Sequence, residues 1–270
     1  MNKESNFVEL VNPNRIWAVG SIHSNLKAFN SIKNYIIENF THGDKLVFLG
    51  NIIGLGPNTK ETLSSLIDLR FYLMSKFTLQ PDEIIFLRGA QEEMFTKVLQ
   101  LHIAPNPSEI ITWMFEHGVD KTLNSYGFSN KDVIDIATTG TVSISRWTSK
   151  LNKIIDEYPG HKEYLLNLKH AAFNSSKKIL FVNRGVDISR PLSAQSDCFW
   201  WGYQNFSKID APYNTFNRIV RGYQSNQTNN LEFSKNRVIC TLFKQPLSNK
   251  RVFAGIFDNN GEILDLFESN

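Results

Sequence analysis

A doubly covered α/β sheet is the fold class this 270-residue chain predicts, and three observations predict it. Short continuous apolar runs recur along the first third, at Ile16–Val19, Leu46–Leu49 and Ile84–Leu87. Each run ends in a loop that carries glycine, and an amphipathic stretch of helical period follows at least the first two. A strand that is apolar at every position has both faces buried, so helices must cover the sheet. In such sheets ligands gather at the carboxyl ends of the strands, which is where all three loops fall.

The first run opens into Gly20-Ser21-Ile22-His23-Ser24, and Leu26, Phe29, Ile32, Ile36 and Phe40 then recur at helical spacing. Ser24 or Asn25 can cap that helix, because a short polar side chain accepts from the exposed amides of the first turn. The second run opens into Gly50-Asn51-Ile52-Ile53-Gly54-Leu55-Gly56-Pro57, followed by a helix with Leu63, Leu66, Ile67 and Phe71 on its core side. The third opens into Arg88-Gly89-Ala90-Gln91-Glu92-Glu93. From about 95 to 170 the chain turns helical and irregular, with Thr138 to Ser145 as a connecting loop. Strand character returns at Lys178–Val182, Arg218–Val220, Arg237–Cys240 and Arg251–Ala254, and the polar run from Ser225 to Asn236 is predicted to be an exposed loop. No repeat or dividing linker interrupts the pattern. The expectation is one domain over 1–270, with a helical insertion at about 95–170.

Composition narrows the function. A hydrophobic content of 41% supports one large core, and a net charge of +3 is too weak and too scattered to imply nucleic acid. Cys198 and Cys240 lie far from any CxxC spacing, which fits reduced thiols in the cytoplasm better than a disulfide framework or a zinc site. No apolar run serves as a signal peptide or approaches the ~20 residues of a membrane span. Ser21 and His23 have no carboxylate placed to complete a triad, and no GxxxxGK[ST] loop is present.

In order and spacing the three loops resemble the signature loops of the calcineurin-like metallophosphoesterases, Gly-Asp-x-His-Gly, Gly-Asp-x-x-Asp-Arg-Gly and Gly-Asn-His-Glu. The similarity continues through Trp113 to Gly127, through Leu180–Val186 with Pro191-Leu192, through Trp201–Phe206, and through Ile219–Gln224. It thus spans about residues 15 to 265, and resembles the branch of bacterial serine/threonine protein phosphatases and diadenosine tetraphosphatases. The resemblance implies a metallophosphoesterase-like αβ-sandwich, two mixed sheets flanked by helices.

Members of that family bind two divalent metals such as Mn, Fe or Zn. By resemblance, the metal ligands would fall at Ser21, His23, Asn51, Ala90, Asn183 and Tyr223, of which His23 alone keeps the family's residue type. The Asp-Arg pair of the second loop is Gly54-Leu55, the proton-donating histidine is Gln91, and the phosphate-gripping arginine is Tyr203. Glu92, Arg88 and Arg221 keep the family's residue types. Phosphate-monoester hydrolysis needs rate enhancements up to ~10²¹, and one well-placed arginine supplies only ~10³ to 10⁵. Hard divalent cations need anionic oxygens or several imidazoles. No catalytic residue and no metal are therefore expected.

The expected function is that of a pseudophosphatase, a binding or scaffold protein for a partner protein or a phosphorylated ligand, of unassigned oligomeric state. The alternative is a metal-dependent phosphoesterase with a remodelled site built on His23 and Glu92. His23 is either a residual ligand or a packed imidazole. Arg88, Arg184 and Arg221 either make an anion site in place of the cation site, or Arg184 turns to solvent or pairs with Asp187. Phe199-Trp200-Trp201 is either an exposed protein-binding patch or core packing.

Overall fold

The structure, a computed structural model, describes residues 6–202, 206–223, 238–243 and 251–270. The first runs fold as expected: β2 (Ile16–Val19), β3 (Lys45–Phe48) and β4 (Ile84–Phe86) pair in parallel, and β2 also pairs antiparallel with β9 (Phe253–Phe257). Strand β10 (Ile263–Glu268) closes that sheet, in the order β10-β9-β2-β3-β4. The second sheet has the order β1-β5-β6-β7-β8, from β1 (Phe7–Leu10), β5 (Ala171–Asn174), β6 (Ile179–Val182), β7 (Arg218–Arg221) and β8 (Ile239–Thr241). Both sheets are mixed, and they pack face to face.

The alternation along each strand explains why the runs are apolar throughout. Trp17, Val19, Leu46, Phe48, Ile84 and Phe86 face the helices. Ile16, Ala18, Val47, Leu49, Ile85 and Leu87 face the second sheet, against Phe181, Val220 and Phe257. Fully burying one such side chain stabilises by about 1.5–3 kcal/mol. A third cluster covers the outer face of the second sheet, around Leu180, Ile219, Phe199 and Trp200. Lys169 stitches the sheets together, receiving the Arg88 amide on its carbonyl at 2.7 Å and donating its own to Phe86 at 2.9 Å.

Helix α1 (Leu26–Asn39) is capped by Asn25, whose side chain accepts from the Ala28 amide at 3.2 Å. Helix α2 (Thr59–Phe77) turns Leu63, Leu66, Leu69 and Leu73 to the core, so Phe71, expected inside, is 61% exposed. Between β4 and β5 the chain is helical: α3 (Ala90–Val98), α4 (Pro107–Glu116), α5 (Val119–Ser125), α6 (Asn130–Ala137), α7 (Thr141–Asp156) and α8 (His161–Leu166). The loop expected at Thr138–Ser145 is shorter than that, because α7 already begins at Thr141. Helix α9 (Cys198–Trp201) follows β6. Tyr203, Gln204, Asn205, Gln224, the run from Ser225 to Asn236 and Arg237 lie outside the described residues. No helix among the described residues is long and apolar enough to cross a membrane.

A buried histidine ties this helical block to α2. His161 meets Ser64 Oγ at 3.1 Å through Nε2 and the Tyr126 hydroxyl at 2.7 Å through Nδ1, with its ring stacked on Tyr158. Burial lowers its pKa from the ordinary 6.5 to about 4, with Glu61 opposing the shift. A histidine held neutral contributes stability that is complete above pH 6.5 and is lost as the pH falls toward 4, because the unfolded chain takes up the proton first. Urea denaturation at pH 7 and pH 5 should show stability falling with acid, and His161→Gln should flatten that slope by about one proton.

Candidate functional site

The site lies where the loops after β2, β3, β4, β6 and β7 converge. Two of its glycines are required by close approach. A Cβ on Gly89 would stand 2.4 Å from the Asn51 amide nitrogen, and one on Gly50, where φ is +81°, would stand 2.7 Å from the Gly89 nitrogen. The second and third loops therefore touch backbone to backbone, and a side chain at either position would separate them. His23, Ser24, Asn51 and Leu55 all take left-handed φ between 50° and 58°. That conformation costs roughly 1–2 kcal/mol for a non-glycine residue, and the surrounding hydrogen bonds must hold it.

Much of that hold comes from Glu92, which is fully buried on the first turn of α3. Its Oε2 accepts from the amides of Asn51 at 2.8 Å and Gly89 at 3.0 Å. Its Oε1 accepts from Ile52 at 2.7 Å, Ile53 at 3.2 Å and the Tyr164 hydroxyl at 3.0 Å. Burial pushes the carboxyl pKa up, and the amides of Ile53 and Asn51 oppose the shift. Five donors use both oxygens, so Glu92 fixes backbone and faces no ligand. No sequence pattern marks this role, because the partners are mostly backbone amides up to 41 residues away.

The six positions matched to metal ligands come together. Asn51 sits at the centre: Oδ1 accepts from the Gln91 amide at 3.1 Å, and Nδ2 donates to Ser21 Oγ at 3.3 Å and to Asn183 Oδ1 at 3.4 Å. Asn183 Nδ2 donates in turn to the Leu49 carbonyl at 2.5 Å. Ala90 begins α3 beside them. The His23 amide donates to the Asn51 carbonyl at 2.8 Å, and its ring stands edge-on to Tyr223 at 5.4 Å and Phe243 at 6.3 Å. Neither imidazole nitrogen has a hydrogen-bond partner of good geometry. Burial lowers the His23 pKa to about 4, and the nearby Ile53 backbone opposes the shift. At neutral pH the ring is uncharged.

Of the remaining positions, Tyr203 lies outside the described residues, and the others have neighbours. Gln91 Nε2 donates to the His117 carbonyl at 2.9 Å, while its Oε1 is buried without a partner. Gly54 packs against the Gln91 side chain, and the Leu55 amide donates to Gly118 at 3.2 Å. Arg88 pairs with Glu93 at 2.6 Å, and Arg221 Nε donates to Thr241 Oγ1 at 2.8 Å with its guanidinium over Phe206. Arg184 lies over the Tyr223 ring at 5.6 Å, and burial lowers its pKa. Asp187 pairs with Arg190 at 2.7 Å. Phe199 and Trp200 are buried, whereas Trp201 is 40% exposed and packs edge-on to the half-exposed Trp113.

Two divalent cations do not fit this donor set. It offers one neutral imidazole, two amides already bonded to each other, a hydroxyl, a phenol and a methyl group, with no carboxylate oxygen. Among the described residues no three His, Cys, Asp or Glu side chains are grouped to hold a metal.

No protein-family model matches the sequence, and a comparison with curated proteins gives no match. Solved structures do match. A protein assigned as a diadenosine tetraphosphatase is 15% identical, with a TM-score of 0.53 over 98% of this chain and 99% of the other. A Saccharomyces cerevisiae serine/threonine phosphatase with similarity to human PP5 is 14% identical, with a TM-score of 0.51 over 99% of this chain and 84% of the other. A cold-active protein tyrosine phosphatase is 12% identical, with a TM-score of 0.50 over 96% of this chain and 80% of the other. The chain has the metallophosphoesterase-like fold.

Replacing Glu92 tests the clamp. Glu92→Gln turns one acceptor into a donor facing amides, and should cost about 2–4 kcal/mol in urea denaturation. Tyr164→Phe should cost about 1 kcal/mol. Hydrogen exchange should show the amides of Asn51–Ile53 losing protection in Glu92→Gln, and unchanged protection would contradict the assigned role.

Proposed function

We propose that this chain is a metallophosphoesterase-fold protein without phosphoesterase activity, which works in the cytoplasm by binding a partner protein or a small ligand. The observation that supports this reading is the Asn51 side chain. Its amide bridges Ser21, Asn183 and the backbone of Gln91 at the point where the resemblance expects a carboxylate shared by two metals. A neutral bridge leaves no charge to hold cations, and without them the site has no means of making hydroxide at neutral pH. Proton transfer to a leaving group also lacks an agent, since the amide of Gln91 does not titrate near neutrality.

The alternative of a remodelled single-metal hydrolase is weakened by the same geometry, because Glu92 has both oxygens engaged. Arg88 and Arg221, two of the arginines considered for an anion site, are engaged with Glu93 and Thr241. The free thiols Cys198 and Cys240 are both buried, in keeping with a reducing compartment.

Metal analysis and turnover together test the proposal. The purified chain, supplied with Mn²⁺ or Zn²⁺, should retain no stoichiometric metal and should hydrolyse p-nitrophenyl phosphate no faster than a protein-free control. A bound metal pair with metal-dependent turnover would overturn it.

A further inference from the structure

Helix α4 turns Ile111 and Met114 to the core and leaves Glu109, Thr112, Trp113 and Glu116 exposed on its outer side. With Ser108 these residues line a shallow hollow of about 400 Å³. We propose that this face docks a basic segment of a protein partner, with an arginine laid against the Trp113 indole and paired with Glu116 or Glu109. The inference deepens the binding role proposed above and rests on it.

Trp113 is the anchor. It is 44% exposed, yet its ring is already held in place. His117 packs on it with ring centroids 4.2 Å apart, and Trp201 stands edge-on at 6.3 Å. The His117 ring is fixed in turn, with Nδ1 2.7 Å from the Trp113 carbonyl oxygen. A ring that is held before binding loses little freedom on binding, and tryptophan is enriched among the residues that dominate interface energies. The Thr112 hydroxyl donates back to the Ser108 carbonyl at 2.8 Å, which leaves the two carboxylates as the main polar groups of the face.

Charge selects the occupant. Helix α4 contains no lysine or arginine, although the chain as a whole carries a net charge of +3. Glu109 lies four residues before Trp113 and Glu116 three after it, so both share its face. Glu109 accepts from Asn106 Nδ2 at 3.2 Å, and neither carboxylate forms an ion pair among the described residues. Lys121, on the adjoining α5, pairs with Asp120 instead. An indole offers a cation the best aromatic face, and a flat guanidinium can stack on it while its fork engages a carboxylate. An ammonium has no flat face to stack. An acidic segment or a nucleic acid would meet like charge here.

The far end of α4 adjoins the loop cluster. Gln91 Nε2 donates to the His117 carbonyl at 2.9 Å, and the Leu55 amide to that of Gly118 at 3.2 Å. A segment docked on α4 therefore runs beside the emptied centre.

Titration of a fluorescently labelled hexa-arginine peptide with the full chain, read by polarisation, tests the proposal, with hexa-glutamate as control. Hexa-arginine should bind at least about tenfold tighter than hexa-glutamate, one decade in Kd. Trp113→Ala and Glu116→Lys alter exposed side chains, so both variants should fold, and each should weaken hexa-arginine by about fivefold to tenfold. In the unaltered chain the peptide should shift the indole N–H resonance of Trp113 and leave that of the buried Trp17 in place, a readout independent of any variant. The proposal is overturned if hexa-arginine fails to bind, if its binding survives both replacements, or if the Trp113 resonance does not shift. A concentration-dependent dimer that Trp113→Ala abolishes would make the occupant a second copy of this chain, and would overturn it as well. Metal-dependent turnover would remove the reading beneath this inference, whereas a metal-free, inert chain that ignores hexa-arginine would sink this inference alone.

Discussion

The buried carboxylate of Glu92 is the constraint on which the loop cluster depends. Four backbone amides from two loops and one phenol from α8 converge on a single side chain. Charge-assisted hydrogen bonds of this kind contribute about 1.5–3 kcal/mol each, set against the large penalty of taking the charge out of water. Because the donors are backbone groups, the clamp fixes the path of the second loop directly and holds Asn51 in its left-handed conformation. The clamp thus acts on the geometry of the centre through protein groups.

The two sheets supply the rest of the positioning. Ser21, Asn51 and Asn183 come from loops that leave three different strands at their carboxyl ends, two in one sheet and one in the other. Burial of Val47, Leu49 and Phe181 between the sheets sets the distance between those strand ends. Packing therefore brings Asn51 and Asn183, 132 positions apart in sequence, within hydrogen-bonding reach. What such a cluster does is decided by side-chain chemistry, and here that chemistry is amide, hydroxyl and neutral imidazole.

Sequence patterns revealed the parts governed by local rules. Continuous apolar runs marked β2, β3 and β4 because both faces of each strand are buried, and the cap at Asn25 marked the start of α1. Patterns failed where packing broke the period. On α2 the buried stripe passes through Leu69 and Leu73, which leaves Phe71 outside. Strand β5, Ala171-Ala172-Phe173-Asn174, has alanines of low strand propensity, and β10 carries an irregularity between Ile263 and Asp265 that spoils its alternation. At the site, the residue types at Ser21, Asn51 and Asn183 could be read directly, but their mutual hydrogen bonds could not. Nor could the ion pair that engages Arg88, or the union of Trp113 with Trp201 across 88 residues of chain.

The three-way bridge at Asn51 has a consequence for any attempt to rebuild a cation centre. An aspartate placed there would set a carboxylate oxygen against Asn183 Oδ1, while the Gln91 amide and the rotatable Ser21 hydroxyl still donate to it. One exchange toward acidity thus meets repulsion before it meets any metal. A cation centre would need further replacements as well, because Asn183 and Ala90 would still offer no anionic oxygen.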